Sequence, residues 1–142
     1  MKKSRLLGVV CLLLLPATQP AAAADQYLCI TDKATGFYFE DGEWNTANFK
    51  TGRKFLIRKP NKEELEVTIA NIGRDFVVSE FGDKSTLLWC DEDFYCVGHV
   101  DDFLFDKKTL RFLYIYKGGY VSGIDNNDNT PAMQIGTCSP LP

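Results

Sequence analysis

Four cysteines, Cys29, Cys90, Cys96 and Cys138, follow an N-terminal export signal, and this combination limits the fold more than any other feature of the chain. Lys2, Lys3 and Arg5 precede the apolar run Leu6 to Leu15, and Ala22-Ala23-Ala24 closes it, which is the layout of a secretory signal peptide. The run is too short to cross a bilayer as a helix. Cleavage is expected before Asp25, so that residues 1–24 are removed and residues 25–142 remain as a single domain in the periplasm or outside the cell. Cys11 sits early in the discarded run beside Val9-Val10, without the small neighbour a lipidation site requires, so no membrane anchor is expected after cleavage. The four remaining cysteines enter an oxidising compartment and read as two disulfides. None of them forms the closely spaced pair typical of a structural zinc site.

The favoured pairing is Cys90 with Cys96 and Cys29 with Cys138; Cys29 with Cys90 plus Cys96 with Cys138 stays open, because spacing does not determine connectivity. In the favoured scheme chain entropy assigns roughly 2.4 kcal/mol to the short loop and about 4.7 kcal/mol to the long one. The long bridge would then fasten the first strand to the last.

Charge narrows the partners. The leader carries three of the 16 basic residues and none of the 19 acidic ones, leaving 13 against 19 and a formal charge of −6 on the mature chain. Phosphate binding needs Lys and Arg in number, so nucleic acid is disfavoured, and nothing favours adhesion to anionic lipid. A basic protein partner is compatible with this balance.

Short apolar and aromatic runs separated by turn residues indicate strands. They fall at Tyr27 to Thr31, Gly36 to Glu40, Glu43-Trp44 onward, Phe55 to Arg58, Leu65 to Ala70, Phe76 to Phe81, Thr86 to Cys90, Phe94 to Val100, Phe103 to Phe105, Leu110 to Lys117, Tyr120 to Ile124 and Met133 to Thr137. Asp41-Gly42 supplies the positive backbone angles of a two-residue hairpin turn. In Leu110 to Lys117, Leu110, Phe112, Tyr114 and Tyr116 alternate with apolar Leu113 and Ile115, which predicts a strand covered on both faces. Asn61 with Glu64 three positions on predicts a helix start of one or two turns. The fold expected is all-β, a small antiparallel meander barrel with two disulfides and at most one short helix, with a two-layer sandwich as the alternative. A bridge between Cys29 and Cys138 would hold the closing seam of such a barrel.

Several groups are candidates for chemistry. Asp91, Glu92 and Asp93, followed by His99, Asp101 and Asp102, form the densest polar group and could carry acid–base chemistry or a metal; the simpler reading is a solvated turn, and no nucleophile or oxyanion site accompanies it. Asp125, Asn127 and Asn129 alternate like calcium-loop ligands, but Thr130 and Gly136 stand where that loop needs Gly and Glu, so an Asn-rich turn is expected instead. Gly118-Gly119 lacks the lysine and the helix of a phosphate loop and reads as a turn or bulge. Ser79, Ser85, Ser122 and Ser139 lack a nucleophile-elbow setting. No cofactor, metal or catalytic residue is assigned. Two aromatic-rich regions, Phe37, Tyr38, Phe39, Trp44 and Phe49, and Phe112, Tyr114, Tyr116 and Tyr120, supply core, with the remainder free to line a pocket or anchor a partner. Trp44, Tyr120, Asp91, Glu92 and Asp93 are the contact candidates.

Cys29, Gly36-Phe37, Trp44 and Phe49, with Leu110-Arg111-Phe112, Gly119-Tyr120 and Ile135-Gly136-Thr137-Cys138, resemble an uncharacterised family of small secreted bacterial β-proteins. The resemblance covers both ends of the mature chain and implies no catalytic residue. In architecture alone the chain is similar to periplasmic lysozyme inhibitors, whose inhibitory loop places a Ser-Gly pair ahead of a Tyr; here Ser122-Gly123 follows Tyr120. The expected function is therefore an exported non-enzymatic protein acting on a protein or envelope partner, inhibitor-like in its sharpest form. The alternatives are a carrier of small apolar ligands with an aromatic-lined barrel, and a hydrolase using the acidic group near His99.

Overall fold

A computed structural model describes residues 25–67 and 74–142. The expected leader, residues 1–24 with Cys11, and the end of the expected strand Leu65 to Ala70 lie outside these residues. The described chain forms β1 (Gln26–Glu40), β2 (Glu43–Asn48), β3 (Lys54–Arg58), α1 (Lys62–Val67), β4 (Phe76–Glu80), β5 (Leu88–Cys90), β6 (Tyr95–Val97), β7 (Asp101–Asp106), β8 (Arg111–Tyr116), a 3-10 turn (Tyr120–Ser122) and β9 (Ala132–Leu141). All strands join one antiparallel sheet in the order β5-β4-β3-β1-β9-β8-β7-β6, with β2 attached to β1 beside this path. The sheet curls until its terminal strands, β5 and β6, lie next to each other, making a nearly closed barrel.

Both disulfides follow the favoured pairing, Cys29–Cys138 and Cys90–Cys96. The long bridge fastens the first strand to the last as expected, but the gap of the barrel lies elsewhere, between β5 and β6. Cys29 and Cys138 are directly opposed in the β1–β9 ladder, so the long bridge joins strands that already pair. The seam is held by Cys90–Cys96, which ties the end of β5 to β6, with Asp91 N–H donating to Tyr95 O at 3.3 Å.

The interior is a contiguous cluster of rings. Phe55 lies 5.4 Å from Phe103, 5.7 Å from Phe112 and 5.1 Å from Tyr114, centroid to centroid, and Phe55, Ile57 and Phe103 are fully buried. Phe112 and Tyr114 point inward as the period-two pattern of β8 requires, but the outer face remains open: Leu113 and Ile115 are half-buried, and their β9 neighbours Ile135 and Met133 are exposed. Asp101 also turns inward, where the hydroxyl of Tyr114 donates to its Oδ1. Burial and this carboxylate push the Tyr114 hydroxyl up to about 12, against the pull of the nearby Arg53.

The described part of one expected strand and the start of another are helical. Leu65 and Val67 belong to α1, because Asn61 and Glu64 close a capping box: Asn61 Oδ1 accepts from Glu64 N–H at 2.9 Å, and Glu64 Oε2 accepts from Asn61 N–H at 2.8 Å. Tyr120 to Ser122 forms a 3-10 turn, since Gly119 at φ 92° and Gly123 at φ 70° bracket it in conformations that end a strand. A Cβ on Gly119 would stand 1.7 Å from Asn129 O, so the loop can close only on glycine there.

Glu64 also receives the Arg58 guanidinium at 2.7 and 2.8 Å and the Thr86 hydroxyl at 2.6 Å, joining α1 to β3 and to the approach of β5. Arg58 first, then Thr86 and the Asn61 N–H, hold its carboxyl down at about 2 against a usual 4.5, outweighing partial burial. A depressed carboxyl contributes stability that is complete above its unfolded value and lost as pH falls through the folded one. Unfolding curves between pH 5 and pH 2 should therefore show a loss of stability that Glu64→Gln flattens; an unchanged slope in the variant would remove this account. Replacing Cys90 and Cys96 by Ala should cost about 2 kcal/mol, and replacing Cys29 and Cys138 about twice that, in chemical denaturation of the oxidised protein.

Candidate functional site

β1 is longer than the barrel wall it helps to build. Its first half pairs with β3, its second half continues past β3 and pairs with β2, and a bulge at Asp32 lies between. Asp41 at φ 53° and Gly42 at φ 83° close the β1–β2 hairpin as the Asp-Gly pair predicts. The overhang carries Phe37, Phe39 and Trp44 away from the core, with Phe39 and Trp44 directly opposed and their rings 5.5 Å apart.

The loop between β8 and β9 folds onto this overhang, and of the residues with calcium-loop spacing Asp125 and Asn127 fasten it there while Asn129 ties the loop back to β8. Asp125 Oδ1 accepts from the Trp44 indole N–H at 2.9 Å. Asn127 works as a one-residue strand: its Oδ1 accepts from Phe39 N–H and its Nδ2 donates to Phe39 O, both at 2.7 Å. Asn129 Oδ1 accepts from the Tyr116 hydroxyl at 2.7 Å, and Pro131 O accepts from Phe37 N–H at 3.0 Å. These contacts set Tyr120 edge-on to Trp44, with ring centroids 5.7 Å apart.

The result is an open apolar depression of about 460 Å³ lined by Phe37, Trp44, Lys117, Tyr120, Val121 and Pro131. Tyr120 is 60 % exposed and Val121 88 %. Around it the charge is one-sided. Residues 37–48 and 118–131 hold five carboxylates, Glu40, Asp41, Glu43, Asp125 and Asp128, and no Lys or Arg. Lys117 at the rim is ion-paired with Asp102 at 2.9 Å. A larger depression, about 680 Å³, lies over the outer faces of β6 to β9 along Tyr95, Leu104, Leu113 and Ile135. It is a strip of sheet surface without the facing walls that the docked loop and hairpin provide, so the Trp44 depression is the better candidate.

Of the contact candidates, Trp44 and Tyr120 are thus brought together and Asp91, Glu92 and Asp93 are not among them. Those three sit in the β5–β6 turn, near Lys107 and Lys108 at the far end of the β7–β8 hairpin. Asp91 shapes that turn: its Oδ1 accepts from Asp93 N–H at 3.0 Å and Tyr95 N–H at 2.9 Å, and Phe94 adopts φ 62° while its ring is buried in the core. His99 is exposed at the other end of β6, Asp101 faces Tyr114 and Asp102 faces Lys117, so the acidic group dense in sequence is dispersed in space. Among the described residues no group of three or more His, Cys, Asp or Glu side chains is placed to hold a metal ion. Phe37, Val121, Asp125 and Asn127 complete the site without having been singled out as contacts in the sequence. The alternation of Asp125, Asn127 and Asn129 was the available signal, one of loop fastening.

No protein-family model, curated protein or solved structure matches this chain. What can be said of its class therefore rests on the molecule itself: a disulfide-bearing, nearly closed β-barrel of antiparallel strands with an aromatic, acid-rimmed end.

Asn127→Ala removes both bonds to Phe39 at an exposed site and should cost about 1–2 kcal/mol. Hydrogen exchange at the Phe39 amide should quicken and proteases should cut within residues 118–131 sooner; unchanged exchange would show that Asn127 does not hold the loop.

Proposed function

We propose that this is an exported, non-enzymatic binding protein that engages a basic protein partner through the end bearing Phe37, Trp44 and Tyr120. One observation carries the reading: half-exposed and exposed aromatic rings, beside a fastened loop, stand within two segments, residues 37–48 and 118–131, whose charged side chains are all carboxylates. Large rings anchor interfaces because they bury much area at little entropic cost, and a one-signed rim steers an oppositely charged partner. Two disulfides support an oxidising destination, which is the periplasm or the extracellular space in this reading. Its sharpest form is inhibition, in which the docked end occludes the working surface of a basic secreted enzyme.

The test is a panel of basic secreted proteins and enzymes presented to the processed protein, residues 25–142. A complex at micromolar concentration is expected, weakened by salt, and weakened at least about thirtyfold by Trp44→Ala or Tyr120→Ala. Absence of any complex, or complexes indifferent to both substitutions, would refute the proposal.

A further inference from the structure

Among the described residues β2 is bonded to the sheet along one edge only. Which of its backbone groups face the open side can be read from β1. Phe37 N–H bonds Pro131 and both backbone groups of Phe39 bond Asn127, so these two residues direct their polar groups away from β2. In an antiparallel ladder their partners, Thr46 and Trp44, are then in non-hydrogen-bonded pairs. The N–H and C=O groups of Trp44, Thr46 and, by the same alternation, Asn48 point outward. Among the described residues none of these groups has a hydrogen-bond partner.

Open edges in soluble proteins are usually blunted by Lys, Pro or a bulge. β2 reads Glu-Trp-Asn-Thr-Ala-Asn, and its register with β1 is unbroken. The same hairpin therefore has one edge capped by Asn127 and Pro131 and the other left available. The face beside that available edge carries Trp44, with Asp125 on its indole and Glu43, Glu40 and Asp41 at the adjoining turn.

We propose that the free edge of β2 receives an extended cationic segment of the partner as an added β-strand, with a Lys or Arg side chain lying over Trp44. The proposal rests on the binding reading above and adds the mode of recognition and the chemistry of the recognised segment. Main-chain bonds to Trp44, Thr46 and Asn48 supply affinity, and alternate side chains on the Trp44 face supply selectivity. A cation over the indole gains from the ring and from the carboxylates around it. A second copy of this chain is the poorer occupant, since it brings another −6 charge and no cation in its own β2.

The probe is an acetylated octapeptide alternating Lys and Val, compared with the same peptide N-methylated on the edge that would face β2. Binding of the parent peptide should slow hydrogen exchange at the amides of Trp44, Thr46 and Asn48. Methylation should weaken it at least about tenfold. Thr46→Pro removes an outward N–H that no intramolecular bond uses, so it should weaken binding to the same degree while leaving the unfolding curve near that of the parent. Thr46→Lys keeps the backbone intact and opposes the cationic strand, and it should also weaken binding, which serves if the proline variant fails to fold. Equal binding by both peptides and by both Thr46 variants, with Trp44→Ala still harmful, would overturn strand addition and leave the binding reading in place. Failure of the parent peptide to bind at millimolar concentration would overturn it as well, the binding reading then being judged by the protein panel alone. A dimer of the free protein that Thr46→Pro dissolves would assign the edge to a second copy and overturn the cationic partner.

Discussion

Backbone amides in a fifteen-residue strand need partners on both sides along its whole length, and satisfying β1 organises the rest of this protein. One edge is served by β9 from Gln26 to Gly36, where Cys29 and Cys138 lock the register. The other is divided between β3 and β2. Beyond Gly36 no residue of β9 continues the ladder, and the loop before it takes over through Pro131 O and the Asn127 amide. The candidate site exists because the longest strand outruns the barrel and the chain returns to cover only part of what projects.

The two ends of the barrel have different physical roles. At the Trp44 end, polar side chains fasten a loop and leave Phe37, Tyr120 and Val121 exposed. At the Asp91 end, carboxylates and turns complete local hydrogen bonds around the seam, with the Phe94 ring drawn into the core and the Lys107 ammonium 4.3 Å above it. Acidic residues thus act as turn builders in one place and as an unneutralised field in the other. Residue type alone does not separate these roles.

Local chemistry was readable residue by residue. The Asp41-Gly42 turn, the Asn61–Glu64 cap and the inward Phe112 and Tyr114 each depend on short-range backbone preference or a period of two. Where a segment departs from its strand pattern, a cap, an ion pair or a close backbone approach outweighs the alternation. Tyr120 to Ile124 has the composition of a strand, yet Gly119 must pass close to Asn129 and the segment curls. Leu65 and Val67 alternate like strand residues, yet the cap at Asn61 and the ion pair from Glu64 to Arg58 draw them into a helical turn. The gap of the barrel falls between β5 and β6 instead of between β1 and β9, because the order of strands around a barrel is not encoded in the spacing of cysteines.

By itself the sequence determined the class of fold, the Asp41-Gly42 hairpin and the sign of the charge, since alternation, turn geometry and composition act over a few residues or need no geometry at all; which cysteines pair was decided by the fold. Only the tertiary structure decided that Trp44 and Tyr120 meet, that Asp91 to Asp93 lie elsewhere, and that Asp125, Asn127 and Asn129 are fasteners. For Trp44, Asp125 and Asn127 the outcome depends on bonds between residues 81 to 88 positions apart. Such pairings are chosen by which strand edges remain unsatisfied after the barrel has closed, a property of the assembled sheet that no local window contains.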